Sequence, residues 1–557
     1  MTVTRHFATV GPAGAQRQIH YRRAGEGPPV LLLHQSPLSS LEMLPLLHQL
    51  APTHTVIAPD TPGFGFSDAF AEAEVTMEML AHNLAALLDA LGIAATAIYG
   101  YHTGASIATA FSRHYPQRCV VAVAEGVLCL NESERSEFLT HYLEPFVPRW
   151  DGGHLAWLWS RLKDQTLFFP WYNRTAAARM TRDVASAAAL AEDTMDMLRA
   201  GDNYRRGYRA AMTYDPPEDM SLITAPYFLV CKILDPLRAH LQRVPPLSSN
   251  MQIQVHETAA ALEASLQTIL QGAHQRPVAP SAVAPAPIAQ RPWLDFVSVR
   301  GRQLRIMRAG VTDAPLVVML HGAQGSLRSC SGLATGLAQH HAVLAIELPG
   351  HGATDPVPGE EMSIESLATL LNEALDELGV TACEFVGLEV GAVILVEMQR
   401  QRPRARNLTL INVIDVTGNA AVQATLHDSY RTIEHDAWGG YLLRAWHQVR
   451  DHLLLFPWVD LRRSSGVSEK PMLDNDGLQQ QTVDLLLSAE SGVVLRRAEL
   501  RYPLRERLQG VSNVRFAAPG WHPRAVHTQQ LADADVFIPL PREWHRAGEI
   551  LCSAGTS

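Results

Sequence analysis

Two short glycine-flanked stretches carry the residues best placed to do chemistry. Gly100–Gly104 (Gly-Tyr-His-Thr-Gly) sets an imidazole, His102, between two glycines, and Gly387–Gly391 (Gly-Leu-Glu-Val-Gly) sets a carboxylate, Glu389, in the same place. Each stretch follows an apolar run and precedes small and apolar residues at helical spacing, which predicts a strand, a sharp turn and a helix. Such a turn holds its middle side chain out at the end of the strand.

The two stretches belong to an internal repeat with a constant offset of 287 residues (389 − 102 = 287). A tryptophan-rich segment at 152–171 returns at 439–458 in the same register, with its Phe-Pro-Trp ending intact. Matches of this kind indicate duplication, or fusion of close relatives. We therefore expect the same domain twice.

The domain boundaries follow from composition. Residues 275–292 are rich in Pro and Ala and almost without charge, so they cannot build a core and are expected to form an extended linker. The predicted domains are residues 1–274 and residues 293–557. We expect them to pack on each other as a pseudo-dimer.

Each half alternates apolar strands with amphipathic helices, which is typical of an α/β fold with a doubly wound, mostly parallel sheet. In the first half, helical residues at 131–220 interrupt this alternation, and the matching segment of the second half is 416–505. These two insertions are predicted to be helical caps over the strand ends. The strands predicted in the first half are 29–33, 55–60, the run before His102, 120–124, 227–233 and 251–255.

Charge and cysteine content narrow the class of partner. The net charge of −10 is spread thinly, with no Lys/Arg cluster, which argues against a nucleic acid or a membrane surface as partner. No apolar run is long enough to span a bilayer, and the first residues lack the apolar core of a signal peptide. The six cysteines are scattered and show no metal-ligand spacing. We expect a cytoplasmic protein that binds a small molecule, without a cofactor or a metal.

The glycine-flanked turns resemble the nucleophile elbow of the α/β-hydrolase superfamily, Gly-x-Ser-x-Gly. The resemblance covers nearly everything outside the linker, and it implies two tandem α/β-hydrolase-like domains, each with a cap. The supporting motifs, in chain order, are His34–Pro37, Asp60–Asp68 and Asp235–Leu237 in the first half, and His321–Gln324 and Glu347–Asp355 in the second.

The resemblance also implies roles for single residues. In the family the middle residue of the elbow is the nucleophile, so His102 and Glu389 occupy that position, and the ordinary acyl-serine route is closed to both. The amide after the elbow residue and the loop after an early strand form the family's oxyanion hole. The residues at those positions are Thr103, Gln35 and Ser36 in the first half, and Val390, Gly322 and Ala323 in the second, with His34 and His321 shaping the loops.

Asp235 matches the family's acid position, and its counterpart in the repeat is His522. Imidazole is longer than a serine side chain, so His102 can reach towards Asp235 directly, and a His–Asp pair can deprotonate water or a substrate C–H or O–H. His256, at the end of the last strand, is a weaker candidate for the family's base. Glu125, which ends the fourth strand, is an alternative acid.

The second half presents the exchanged pair, Glu389 with His522. A carboxylate at the elbow resembles the dehalogenases and epoxide hydrolases of the superfamily, but the sequence shows no matching base histidine after the last strand. Pairing can also be purely structural, because neither a buried ring nor a buried carboxylate can be left without a partner. We expect this half to be degenerate.

The leading hypothesis is a cofactor-independent hydrolase that acts on an ester or a C–C bond of a small organic substrate, with His102 and Asp235 as the general-base pair. The reaction class rests on fold analogy. One alternative is a pseudo-hydrolase that binds a ligand or supports a partner without catalysis. Another is a lyase or isomerase that abstracts a proton without an acyl intermediate.

Overall fold

Two eight-stranded sheets, one in each half of the chain, organise the structure. The computed structural model describes residues 2–181, 183–271, 279–289, 291–466, 473–532 and 536–554. Residues 275–278 and 290 of the predicted linker lie outside the described residues. The chain divides into two compact units, residues 1–147 with 154–287, and residues 148–153 with 288–557. None of the described helices is long and apolar enough to cross a bilayer.

The strands of the first unit form one twisted sheet. They are β1 Thr4–Val10, β2 Arg17–Ala24, β3 Pro29–Leu33, β4 Thr55–Pro59, β5 Thr96–Tyr101, β6 Cys119–Glu125, β7 Tyr227–Lys232 and β8 Met251–His256. Their order across the sheet is β1-β2-β4-β3-β5-β6-β7-β8. Only β1 with β2 and β2 with β4 pair antiparallel. The mostly parallel sheet predicted from the alternation of strands and helices is thus confirmed.

Helices cover both faces of this sheet. Outside the cap they are α1 Leu44–Leu50, α2 Met77–Ala90, α3 Thr103–His114 and, after the cap, α9 Ala259–Gln271. Leu80 and Phe111 pack on one face, from α2 and α3, and Leu47 and Leu266 pack on the other, from α1 and α9. Because both faces are covered, β3 and β4 are buried along their whole length, which is why they read as continuous apolar runs.

The cap of the first unit is the set of helices between β6 and β7. They are α4 Glu132–His141, α5 Gly153–Leu167, α6 Ala187–Ala200, α7 Tyr204–Thr213 and α8 Pro216–Met220. A short 3₁₀ helix, Gly201–Asn203, joins α6 to α7, and another, Pro236–Arg243, follows β7. These segments bring cap residues to the end of the sheet at which the parallel strands finish.

The second unit repeats this plan. Its strands are β9 Trp293–Val299, β10 Arg302–Gly310, β11 Leu316–Leu320, β12 Ala342–Ile346, β13 Cys383–Leu388, β14 Ala405–Ile411, β15 Val514–Pro519 and β16 Phe537–Leu540. Read from β9, the order is β9-β10-β12-β11-β13-β14-β15-β16, the same as in the first unit. The internal repeat of the sequence is therefore a repeat of topology as well.

The helices of the second unit also fall on both faces. They are α10 Leu327–Leu337, α11 Ile364–Glu377, α12 Val390–Gln401, α13 Ala420–Ser429, α14 Gly440–Leu454, α15 Asn475–Arg501, α16 Leu504–Arg507, α17 Ala525–Leu531 and α18 Trp544–Ala554. Two short 3₁₀ helices are Gly359–Glu361 and Arg463–Ser465. Leu371 and Leu395 pack on one face of the sheet, and Leu333 and Ala547 on the other.

A buried base–acid pair occurs at the equivalent position of both units, with its base on β2 in the first and on β10 in the second. In the first unit the His20 ring lies 2.7 Å from Asp60, and both side chains are fully buried. In the second unit Arg305 bonds to Glu347, with Nε 3.0 Å from Oε2. The shorter base, His20, pairs with the shorter acid, and the longer base, Arg305, pairs with the longer acid. The two members of the pair therefore differ together between the halves of the chain.

We predict that Gly391→Ala destabilises the second unit. A methyl group at position 391 would lie 2.4 Å from the backbone oxygen of His321, closer than packed atoms can approach. Overpacking of this kind lowers the free energy of unfolding by about 1–3 kcal/mol. Differential scanning calorimetry should show a lower Tm, whereas Gly359→Ala, where a methyl group meets open space, should leave the Tm unchanged. Equal Tm values for the two variants would contradict this account of the turn.

Candidate active site and its counterpart in the second half

The side chain at each strand-to-helix turn is presented by an unusual backbone conformation. His102, between β5 and α3, has φ 48° and ψ −105°, and Glu389, between β13 and α12, has φ 52° and ψ −122°. Positive φ is rare for residues other than glycine and costs conformational energy. The matching strain in both units indicates that the turn, and not the chemical type of its middle residue, sets this geometry.

The structure brings His102 and Asp235 together. The ring nitrogen Nε2 lies 3.0 Å from Oδ2 of Asp235, and the carboxylate is almost fully buried while the ring is 22% exposed. The second carboxylate oxygen, Oδ1, accepts a hydrogen bond from the amide of Leu237 at 2.8 Å. Burial alone would raise the pKa of Asp235, but the charge and hydrogen bond of His102 outweigh it, so that this pKa lies below its ordinary value.

An aromatic ring supports the imidazole. Tyr101 stacks on His102 with 4.0 Å between ring centroids, and the Lys232 ammonium lies 5.0 Å from the centre of the tyrosine ring. Lys232 also pairs with Glu125 at 2.9 Å, and the Tyr99 hydroxyl donates to the same carboxylate at 2.5 Å. Glu125, the alternative acid, therefore has two partners of its own, and the acid next to the ring is Asp235.

The second ring nitrogen of His102 faces a side-chain amide. Its Nδ1 lies 3.0 Å from Oε1 of Gln35. The other end of that amide, Nε2, donates to Oε1 of Glu42 at 2.5 Å, and the backbone N–H of Gln35 donates to Oε2 at 3.0 Å. Burial raises the pKa of Glu42 to about 7. Sequence reasoning missed Glu42, because it lies in the loop before α1 and belongs to none of the motifs.

The loop after β3 faces the first turn of α3, where the family resemblance predicts the oxyanion donors. The N–H of Ser36 reaches Oγ1 of Thr103 at 3.4 Å, and Thr103 is the first residue of α3, where amides have no partner within the helix. The N–H of Gln35 is bonded to Glu42 instead, so the amide expected at Gln35 points elsewhere. The N–H of Ser36 is likewise directed at the Thr103 hydroxyl, so the donor that this geometry leaves is the amide of Thr103.

His34 holds this loop in place. The ring is buried, its Nε2 accepts from the amide of Thr61 at 2.9 Å, and its Nδ1 lies 2.8 Å from the backbone oxygen of Gln35. In the second unit His321 makes the equivalent bonds, to the amide of Leu348 at 3.0 Å and to the oxygen of Gly322 at 2.7 Å. Burial lowers the pKa of His321 to about 3, so this ring is neutral.

The remaining base candidate of the first unit is His256. It ends β8, and its backbone oxygen accepts from the amide of Ile233 at 2.9 Å. Among the hydrogen bonds and ion pairs given for the described residues, none joins its ring to His102 or Asp235. In the β7–β8 register His256 pairs with Lys232, and its role as a base stays a prediction.

Glu389 in the second unit is held by a guanidinium. Its Oε2 lies 2.5 Å from Nη1 of Arg496, on the cap helix α15, and its Oε1 lies 3.5 Å from Nε2 of His522. Arg496 also lies 3.3 Å from Glu499, which in turn pairs with Arg524 at 2.6 Å. The predicted Glu389–His522 pair is thus part of a larger cluster, whose three further members the sequence motifs did not include.

The positive and negative charges of this cluster balance. Two arginines face two glutamates, and burial lowers the pKa of His522, which leaves its ring neutral. Burial alone would raise the pKa of Glu389, but Arg496 and Arg524 outweigh it and hold that pKa well below its ordinary value. Val390 begins α12 directly after this carboxylate, and Gly322 and Ala323 lie in the facing loop. A carboxylate bound in this way is a weak nucleophile.

Comparison with known proteins agrees with this geometry. The family model described as alpha/beta hydrolase fold matches residues 28–150 and 315–441, one segment in each half. These segments contain both strained turns and the loops that face them.

The chain carries the α/β-hydrolase fold twice.

Similarity to individual α/β hydrolases extends over part of the chain. An uncharacterised hydrolase of Saccharomyces cerevisiae is 33% identical over 111 residues, which are 20% of this chain and 38% of that protein. The 2-hydroxy-6-oxo-6-phenylhexa-2,4-dienoate hydrolase of Burkholderia cepacia is 30% identical over 130 residues, 22% of this chain and 46% of that one. The chain therefore spans less than half the length of either relative.

A solved structure similar to this chain is a thermophilic esterase from Thermogutta terrifontis. Its TM-score is 0.37 at 18% sequence identity, and the match covers 49% of this chain and 100% of the esterase.

We predict that Arg496→Met destabilises the second unit because it leaves the buried Glu389 carboxylate without its closest cation. Breaking a buried ion pair in this way lowers the free energy of unfolding by about 3–5 kcal/mol. Since the pKa of Glu389 is depressed in the folded protein, the stabilisation is present at neutral pH and is lost as pH falls through the folded-state pKa.

Calorimetry on Arg496→Met and on the double variant Arg496→Met/Glu389→Leu measures this effect. The double variant removes both charges and should recover most of the lost Tm. A single variant as stable as the wild type, or a double variant less stable than the single one, would contradict the assignment of Arg496 as the counter-ion.

Proposed function

We propose that the first half of the chain is a hydrolase that cleaves an ester or a C–C bond of a small organic substrate by direct attack of water. The observation that carries the proposal is the His102–Asp235 pair, in which a partly exposed imidazole at the elbow position lies 3.0 Å from a buried, ionised carboxylate. An imidazole so oriented is suited to general-base catalysis near neutral pH. The word hydrolase in the names of both relatives supports this reaction class.

The roles of the two ring nitrogens follow from their partners. An ionised carboxylate can only accept hydrogen bonds. Nε2 of His102 therefore carries a proton and donates a hydrogen bond to Asp235. Nδ1 is then the nitrogen that gains and loses a proton. This division of roles keeps the ring in one orientation while the reaction proceeds.

The proposed reaction has two steps. In the first, the Gln35 side chain, 3.0 Å from Nδ1 in the structure, moves aside and a water takes its place. Nδ1 then removes a proton from this water while the water oxygen forms a bond to the substrate carbonyl carbon, and the carbonyl electron pair moves to its oxygen. The N–H of Thr103, at the start of α3, stabilises that negative charge. In the second step the carbonyl re-forms, the bond to the leaving group breaks, and Nδ1–H protonates the leaving atom. The ring ends as it began, and no bond to the protein is formed.

We propose that the second half does not turn over. The Glu389 carboxylate is neutralised by Arg496 and by its neighbours, and its distance to His522, 3.5 Å, is longer than the 3.0 Å of the His102–Asp235 pair. Its role would be structural or that of a binding module. The lyase or isomerase alternative has no specific observation in its favour, and product analysis separates it from hydrolysis, because only hydrolysis adds oxygen from water to the product.

We predict that His102→Ala and Asp235→Asn each lower kcat by about 10²-fold or more, the range usual for loss of a general base or of the group that orients it. A panel of p-nitrophenyl esters assayed at pH 7.5 supplies the measurement. Glu389→Gln is the matched control at the same turn of the second half, and its rates should stay within a few-fold of the wild type. Equal residual rates in all of the variants would favour the non-catalytic alternative.

A further inference from the structure

The side chains of Gln35 and Glu42 form an extension of the His102–Asp235 pair that only the first unit possesses. Their counterparts at the repeat offset are Gly322 and Ser329 (35 + 287 and 42 + 287). A methyl group at position 322 would lie 2.8 Å from Oε2 of Glu389, so the second unit has no room there for a side chain like that of Gln35. The Gln35–Glu42 pair therefore occurs in the unit that has a histidine at the elbow and is absent from the unit that has a glutamate there, although both units share the fold.

The two ends of the Gln35 amide have different hydrogen-bonding roles, because its nitrogen can only donate and its oxygen can only accept. The orientation of the amide therefore couples Glu42 to His102. With Glu42 ionised, the carboxylate accepts from Nε2–H and from the backbone N–H of Gln35, as observed. The amide oxygen then faces Nδ1 of His102, and an oxygen can only accept. That arrangement favours a proton on Nδ1, and since Nε2 donates to Asp235, it favours the doubly protonated ring.

With Glu42 protonated, the favourable arrangement is the reverse. The carboxylic acid donates its O–H to the amide oxygen, and the amide turns so that its Nε2–H donates to Nδ1 of His102. The ring is then neutral, with a lone pair on Nδ1. Both arrangements contain the same number of protons: one proton has moved from His102 to Glu42, and the amide of Gln35 has rotated by about 180°.

We propose that Glu42 is a positioning residue that sets the protonation of Nδ1 of His102 through the Gln35 amide. In this model the ring can act as a base only when Glu42 holds the shared proton and the Gln35 amide has left the lone pair of Nδ1 to a water molecule. The inference rests on the proposed function for its catalytic meaning, but the coupling between Glu42 and His102 is a property of the folded protein and can be observed without a substrate.

Other ionisable groups surround the two residues. Glu42 faces His102 from the elbow and Asp193 from the cap helix α6, and the like charge of Asp193 favours the protonated form of Glu42. His102 faces Asp235 after β7, Tyr101 at the end of β5, and His240 in the 3₁₀ helix Pro236–Arg243. Burial, which raises the pKa of Glu42 to about 7, places its proton exchange in the range where a histidine also titrates.

The coupling can be measured by NMR on the full chain labelled with ¹⁵N-histidine, because the shifts of the ring nitrogens report whether Nδ1 carries a proton. At pH 7.5 we expect Glu42→Gln to lower the fraction of rings protonated on Nδ1 by at least twofold, since the anionic acceptor that orients Gln35 is lost. Glu257→Gln, an exposed glutamate in the same unit, is the matched control and should change nothing.

A double-variant cycle tests whether the effect passes through the amide. In a Gln35→Leu background, Glu42→Gln should change the protonated fraction much less than it does in the wild type. An equal change in the two backgrounds, or no change in either, would overturn the proposal. Inactivity of the wild type on every ester and on every substrate with a cleavable C–C bond next to a carbonyl would refute the proposed function and would leave this result as it stands.

A second readout is available if Glu42→Gln does not fold. The ¹³C signal of the Glu42 carboxyl should titrate with a pKa near 7 in the wild type. In Gln35→Leu that pKa should rise, because a donor that stabilises the carboxylate has been removed. An unchanged or lowered pKa would show that the amide does not connect the two residues.

Discussion

The backbone of the strand-to-helix turn is the constraint on which the rest of the molecule depends. A residue with positive φ between a buried strand and a helix has its side chain fixed at the end of the sheet, where the cap and the neighbouring loops converge. An ionisable group held there cannot turn back to bulk water, so the surroundings must supply a partner. In the first unit the partner of His102 is Asp235, and in the second unit the partner of Glu389 is Arg496.

The duplication shows how partners changed together. His20 with Asp60 in the first unit corresponds to Arg305 with Glu347 in the second, and each pair is matched in side-chain length. The partners of the elbow residue also differ between the two units. The imidazole has a carboxylate on Nε2 and an amide on Nδ1, whereas the carboxylate of the second unit has a guanidinium, and the loop that faces it carries glycine at Gly322. The open, partly exposed pair of the first unit and the neutralised cluster of the second are two outcomes of one architecture.

Much of this could be predicted from the sequence, because the determining signals were local or repeated. Apolar runs predicted the buried strands, glycine spacing predicted the strained turn, and the approach of His102 to Asp235 followed from side-chain length at known strand ends. Arg496 could not be predicted, because it comes from a long cap helix whose register over the sheet has no sequence signature. Glu42 was missed for a related reason. A carboxylate in a loop can be recognised as part of a site only when the fold shows which groups donate hydrogen bonds to it, here a backbone N–H and a side-chain amide. His256 was suggested by order along the chain, and its role stays a prediction because no hydrogen bond or ion pair of the described residues joins its ring to the pair.

The central claim is that an imidazole at the elbow activates water and forms no bond to the substrate. Rapid mixing of the wild-type protein with p-nitrophenyl acetate, followed by quenching and intact-mass spectrometry, tests it most directly. The account predicts linear release of p-nitrophenol without a burst, and protein of unchanged mass at every time point. A burst equal to the protein concentration, with an acetyl group on the peptide that contains His102, would show covalent catalysis and would contradict the account.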